Sequence, residues 1–315
     1  MSLRHYLSVT DLSPAEVRET LLLASDIKRN PGKYRQALAG QTLAMIFQKK
    51  STRTRVSFEV GMYQLGGHAL FLSGADIQIG RGETIEDTAK VISRYCNGIM
   101  ARVYGHDVIE DLGKYATVPV INGLSDLEHP CQTLCDVQTL VEHWTADGGF
   151  DPDVLRGKTL CYVGDGNNMA HSLLDTGAAT GLNVTIVAPA DYAPSPVIVE
   201  RARKLGEQTG AKIVVSTDPI SGVQGADCIY TDVWASMGQE EEAQKRQRDF
   251  AGFQVDETMM RRANPGCLFM HCLPAHRGEE VSAEVCDGPR SIIFDEAENR
   301  LHIQKALMVR LMGGR

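Results

Sequence analysis

This chain is short of the features that would place it in several large functional classes. No run is apolar for long enough to span a bilayer. The first residues, Met-Ser-Leu-Arg-His-Tyr, lack the apolar core of a secretory leader, so a cytoplasmic home is expected. Basic charge is scarce: 32 Lys and Arg stand against 40 Asp and Glu, for a net charge of −8. That balance argues against a nucleic-acid binder. Eight cysteines are scattered without the spacing of a disulfide framework, and a reducing compartment would leave them as thiols. There is no internal repeat and no low-complexity tract. The polar run at 51–55 lacks the glycines and lysine of a P-loop.

What remains is an ordinary globular composition, 43% hydrophobic, in 315 residues, enough for two cored domains. Apolar strand-like runs at 43–47, 68–72, 98–103 and 118–121 alternate with helical patterns. A second series follows at 159–163, 183–188, 212–216, 227–231, 267–271 and 291–294. Such alternation predicts an α/β protein with two doubly wound parallel-sheet domains. Ser13-Pro14-Ala15-Glu16 marks a capped helix start, with Val17, Leu21 and Ala24 as its apolar stripe. A helix over 129–144 precedes the breaker cluster 145–152, where the domain boundary is expected. The predicted domains are 1–140 and 150–297, with a terminal amphipathic helix from Glu298 returning to the first.

The most informative run is Ser51-Thr52-Arg53-Thr54-Arg55. It lies between the strand-like 43–47 and a helical pattern carrying Phe58, Met62 and Leu65. A helix N-terminus presents free N–H groups and the positive end of the helix dipole. Hydroxyls and planar guanidiniums there suit phosphate oxygens, although a polar helix cap with two solvated arginines has the same pattern. His129-Pro130-Cys131-Gln132 opens another helix. Its His and Gln could meet a small polar ligand or simply cap the helix. Gly164-Asp165-Gly166-Asn167-Asn168 approaches a dinucleotide fingerprint, but Met169 stands where the third glycine belongs. Asp232-Val-Trp-Ala-Ser236-Met237-Gly238 suits an ammonium group, or is a turn before a solvated helix. His271-Cys272-Leu273-Pro274 ends an apolar strand, and its spacing matches no common zinc pattern. Cys272 reads either as a partly ionised thiol or as a buried inert one.

In that order and at those separations, four of these motifs, those at Ser51–Arg55, His129–Gln132, Asp232–Gly238 and His271–Pro274, resemble the aspartate/ornithine carbamoyltransferase family, and within it the ornithine branch. The resemblance implies an active site in the cleft between a carbamoyl-phosphate domain and an amino-acid domain, in a homotrimer. It implies carbamoyl phosphate and L-ornithine as substrates, no nucleic acid, no membrane, no metal and no organic cofactor. Ser51, Thr52, Arg53 and Thr54 would hold the phosphate. Arg102, His129 and Thr54 would polarise the carbonyl, and Gln132 would orient the carbamoyl nitrogen. Gln78 would reach a neighbouring subunit's site, and Arg300 would close over the carbamoyl phosphate. Asn168 and Met237 would take the ornithine carboxylate, and Asp232 and Ser236 its α-ammonium. Cys272 and the Leu273 carbonyl would lie beside the attacking amine and the carbamoyl group. Related acceptors (N-acetylornithine, putrescine, aspartate) are the alternatives, though the loop from Gly74 to Ala89 has no lysine of the kind an aspartate-specific relative lends its neighbour. A nicotinamide dehydrogenase and a non-catalytic relative are the rivals of other classes. Synthesis and breakdown of citrulline are both left open. So is the proton acceptor: Cys272, Asp232 or the leaving phosphate.

Overall fold

The computed structural model describes residues 4–74, 77, 82–235 and 242–313. The chain divides into two compact units, Met1–Gln138 with Glu298–Arg315, and Thr139–Ala297. The first division falls inside a helix, ahead of the 145–152 breaker cluster.

The first unit runs α1 (Pro14–Arg29), β1 (Thr42–Phe47), α2 (Thr52–Gln64), β2 (His68–Ser73), α3 (Ile85–Tyr95), β3 (Gly98–Arg102), α4 (His106–Tyr115), β4 (Val120–Leu124) and α5 (Pro130–Trp144), whose last residues belong to the second unit. α1 starts with the expected capping box: Ser13 accepts from the Glu16 N–H while Glu16 accepts from the Ser13 N–H. All strand pairs are parallel, in the order β2-β1-β3-β4. Strands β1 and β3 are buried along almost their whole length, which is why they read as continuous apolar runs. Ile46, Ile99, Ala101, Ile109, Leu112 and Val120 form one core cluster.

The second unit contains β5 (Thr159–Val163), α6 (Asn168–Thr180), β6 (Asn183–Val187), α7 (Pro196–Thr209), β7 (Ile213–Ser216), α8 (Pro219–Gly222), β8 (Cys228–Thr231), α9 (Ala243–Asp249), α10 (Glu257–Met260), β9 (Leu268–His271) and α11 (Ala283–Cys286). Its sheet is also all parallel, in the order β7-β6-β5-β8-β9. The final helix, α12 (Ile293–Met312), begins in this unit and ends in the first.

The run 291–294 is not the strand its apolar character predicts. Ser291 makes a single bridge to Phe269, and Ile293 already opens α12. A short apolar run cannot by itself separate strand from helix. Here the spacing beyond it decides: Ile293, Glu296, Arg300 and Ile303 are all buried, on one helical face. The terminal helix therefore starts five residues before the expected Glu298.

In each sheet the chain reverses its winding beside the first strand. The reversal lies between β1 and β3 in one unit and between β5 and β8 in the other. Crevices beyond the carboxyl ends of such strand pairs are where doubly wound sheets bind ligands.

Candidate functional site in two halves

In the first unit, Phe47 ends β1 in register with Arg102 at the end of β3. The loop after Phe47 leads into α2. Ser51 is the N-cap, in extended conformation, and its hydroxyl accepts the Thr54 N–H at 3.2 Å. Arg102 is 6% exposed and donates from Nη1 to the Thr54 hydroxyl at 3.4 Å. Arg300, 3% exposed on α12, donates from Nη2 to the same hydroxyl at 3.1 Å. Its Nη1 donates to Gln132 Oε1. Gln132 in turn donates to Asp136 at 2.7 Å. Thr54 is thus the point where two buried guanidiniums meet.

His129 lies just before α5, buried. Its burial, helped by Arg300, Arg102 and Arg53, pushes its pKa well below the ordinary 6.5. The imidazole is therefore neutral at neutral pH and donates from a single N–H. Lys49 is also depressed, by burial and by Arg102. These groups make a dense positive site in an acidic chain. Arg55 turns away from it: its guanidinium lies 3.7 Å from the centre of the Phe71 ring and pairs with Glu59 at 3.4 Å. Of the two arginines in the Ser51–Arg55 run, only Arg53 adds to the field on His129.

In the second unit the loop after β5 and the loop after β8 flank the switch point. The Thr231 hydroxyl donates to the Val163 carbonyl at 2.6 Å and ties the two strand ends. Gly166 sits where an added Cβ would come within 2.3 Å of the Pro194 nitrogen, so no side chain fits there. Asn167 caps α6, accepting from Met169 at 2.9 Å, and Asn168 is the first helical residue. Asp232 is 7% exposed, and its Oδ1 accepts the Val233 N–H at 2.8 Å. The same oxygen accepts the Cys272 thiol at 3.1 Å. Asp165 has its pKa raised by burial, against the opposing pull of Arg246 at 2.6 Å.

Cys272 is half-buried; the other seven cysteines are buried. Leu273 follows with φ of 58° before a cis Leu273–Pro274 bond. That left-handed conformation costs a leucine roughly 1–2 kcal/mol. The Leu273 N–H donates to His271 Nδ1 at 2.9 Å. His271 Nε2 lies 3.2 Å from Glu280 Oε1. Ligand atoms of Asp232, His271 and Cys272 lie within 4.8 Å of one another. Both ring nitrogens of His271 are already committed, however, so this cluster gives no argument for a metal.

The model of the aspartate/ornithine carbamoyltransferase carbamoyl-phosphate-binding domain matches residues 4–142, and that of the family's Asp/Orn-binding domain matches 156–311. The chain belongs to this family. Ornithine carbamoyltransferase from Methanobrevibacter smithii is 54% identical over 303 residues, covering 96% of this chain and 97% of that one. The anabolic ornithine carbamoyltransferase of Pyrococcus furiosus is 51% identical over 313 residues, covering 99% and 97%. A solved structure of ornithine carbamoyltransferase from Pyrococcus furiosus superposes with a TM-score of 0.93 at 51% identity, covering 99% of this chain and 98% of that one.

Of the residues expected from the carbamoyltransferase resemblance, Ser51, Thr54, Arg102, Gln132 and Arg300 are joined by direct contacts, and His129 lies in the field of Arg53, Arg102 and Arg300. Thr52 is the exposed first residue of α2. Asp232 and Cys272 are in direct contact in the second unit, Leu273 follows Cys272, and Asn168 opens α6. Gln78, Ser236 and Met237 lie outside the described residues. Three supporting residues carry no motif signal: Asp136, which holds Gln132, and Glu280 and Glu296, which together with the motif residue His271 hold the Cys272 turn. Asp136 follows Gln132 at helical i, i+4 spacing, and that spacing was the available clue.

Proposed function

We propose that this carbamoyltransferase moves the carbamoyl group of carbamoyl phosphate to the δ-amine of L-ornithine, giving L-citrulline and phosphate. The observation that carries the reading is the pair of buried guanidiniums on the Thr54 hydroxyl at the start of α2, with neutral His129 in their field. Phosphate oxygens take the α2 N–H groups, the Ser51, Thr52 and Thr54 hydroxyls, and Arg53. Arg102 and the His129 N–H donate to the carbonyl oxygen as it becomes an oxyanion. Gln132, braced by Asp136, orients the carbamoyl nitrogen, and Arg300 covers the acyl phosphate. Gln78 serves a neighbouring subunit's site.

The second unit offers the complement. Asn168 and the Met237 N–H take the amino-acid carboxylate; Asp232 and Ser236 take the α-ammonium. Cys272 and the Leu273 carbonyl lie beside the attacking amine. An amine of this kind has a pKa of about 10.4, so only on the order of one molecule in a thousand is nucleophilic at neutral pH. Cys272, Asp232 and the departing phosphate are the groups available to take the proton.

The protein works as a cytoplasmic homotrimer, in the direction of citrulline for arginine biosynthesis. Support for assembly comes from an exposed apolar strip on α2 and the edge strand β2: Val56, Val60, Tyr63 and Leu70. Support for direction comes from the anabolic relative described above.

Steady-state kinetics with carbamoyl phosphate against ornithine, N-acetylornithine, putrescine and aspartate test the reading. Citrulline and phosphate should form in equal amounts, with ornithine the preferred acceptor. No phosphate release with ornithine, or a preference for another amine, overturns it.

A further inference from the structure

Two glutamates of the second unit, Glu280 and Glu296, are fully buried, and neither belongs to a substrate-binding motif. Glu296 lies in the first turn of α12. Its Oε1 accepts the Tyr230 hydroxyl at 3.0 Å, and its Oε2 accepts the His271 backbone N–H at 3.0 Å. Tyr230 sits in β8 two residues before Asp232, and His271 ends β9 one residue before Cys272. One carboxylate therefore grips both strands at the ends that deliver the Asp232–Cys272 contact. His271 continues the chain of support: its Nδ1 accepts from Leu273, which places the ring proton on Nε2, toward Glu280.

Burying a carboxylate carries a large desolvation cost, and an apolar side chain would fill the same space without it. Packing alone does not explain glutamate at position 296. A need for two acceptors at fixed positions does, because a buried N–H without a partner is itself expensive. We propose that Glu296 is a positioning residue: it sets the spacing of the β8 and β9 ends and so holds Cys272 against Asp232 and Leu273 in its left-handed conformation. It touches no substrate. Only the kinetic part of the test below rests on the carbamoyl-transfer reading.

Glu296→Leu keeps bulk and removes both acceptors. Glu296→Gln retains an oxygen for the His271 N–H and offers an N–H to the Tyr230 oxygen. Tyr230→Phe removes one arm alone. Each full-length protein is treated with iodoacetamide, and modification is followed by mass at every cysteine, with Cys272→Ser as the blank. The other seven cysteines are buried, so they report global loosening. Glu296→Leu should alkylate Cys272 several-fold faster while those seven stay protected. Glu296→Gln should react at the parental rate, and Tyr230→Phe should fall between. In turnover, Glu296→Leu should lose about tenfold or more in kcat, with KM for carbamoyl phosphate unchanged and Glu296→Gln largely rescued.

An unchanged Cys272 rate in Glu296→Leu overturns the proposal. So does reaction of all cysteines together in that variant with a parental Cys272 rate in Tyr230→Phe, which would leave Glu296 as a fold-holding residue only. If the parent makes no citrulline, the carbamoyl-transfer reading fails, and the alkylation pattern still judges this one.

Discussion

The two units are built on the same plan and carry opposite charge. Each has a parallel sheet, a winding reversal beside its first strand, and a capped helix starting at that reversal: Ser51 before α2, Asn167 before α6. Around the first lie Arg53, Arg102, Arg300 and a neutral histidine; around the second lie Asp165, Asp232 and a half-buried thiol. Both helix starts favour an anionic group through their N–H donors. The side chains at the strand ends then decide the rest of the ligand. On the proposed reading, the arginines suit the first half to a multiply charged acyl phosphate, and the carboxylates suit the second to a molecule with one carboxylate and two amines. The fold supplies a place, and the charge at the place supplies the specificity.

The sharpest way to break this comparison is to remove the guanidinium proposed as the oxyanion donor. Arg102→Ala should lower turnover by roughly 2.7–4 kcal/mol of transition-state stabilisation, read as citrulline formed per enzyme. Unchanged turnover would take Arg102 out of that role. Next is the acidic half: Asp232→Asn should weaken ornithine use by about 1.5–3 kcal/mol, the range of a charged hydrogen bond. KM for carbamoyl phosphate should stay as it was. If both KM values move together, the division of labour between the halves is wrong.

The pH dependence of stability should differ in sign between buried groups of the two units. In the first, burial holds His129 well below 6.5, and burial with Lys305 and Lys28 brings His302 from 6.5 to about 4. The unfolded chain then binds protons that the native state refuses. Stability is full above pH 6.5 and falls on acidification toward pH 4, by up to about 1.4 kcal/mol per pH unit for each such histidine. Asp165 works the other way, since its raised pKa makes the native state hold a proton above 3.8 and favours folding as pH falls through that window. Denaturant melts of His302→Gln between pH 6.5 and 4 should show a flatter decline than the parent.

The smallest effect is expected at the caps. Ser51→Ala and Asn167→Ala should each cost about 1 kcal/mol of stability. The first should raise KM for carbamoyl phosphate and the second KM for ornithine. Equal effects on both substrates from either variant would mean that the helix starts do not sort the ligands.

Much of this architecture is legible from residue order. Strands buried on both faces produce unbroken apolar runs, so β1, β3, β5, β8 and β9 stand out. The cap of α1 is written in Ser13, Pro14 and Glu16. The run 291–294 misleads because its three apolar residues, Ile292, Ile293 and Phe294, satisfy strand and helix equally, and only the burial of Glu296 and Arg300 on the same face as Ile293 decides. Arg53 and Arg55 show the matching limit in the site. They are two apart on one helix, so they cannot face the same way, and the fold turns Arg55 onto Phe71.

By itself the sequence determined which groups are available: hydroxyls, guanidiniums, one histidine, one thiol and one aspartate, several of them (the Ser51–Arg55 run, Asp232 and Cys272) just past the end of an apolar strand. Tertiary structure alone decided which of them meet. Arg300 reaches Thr54 across 246 positions, and Glu296 reaches Tyr230 across 66, because strand order and helix docking set those distances. Glu296, which braces the Cys272 turn, carries no local pattern, since its partners are a tyrosine hydroxyl and a backbone N–H that only a finished sheet brings within reach.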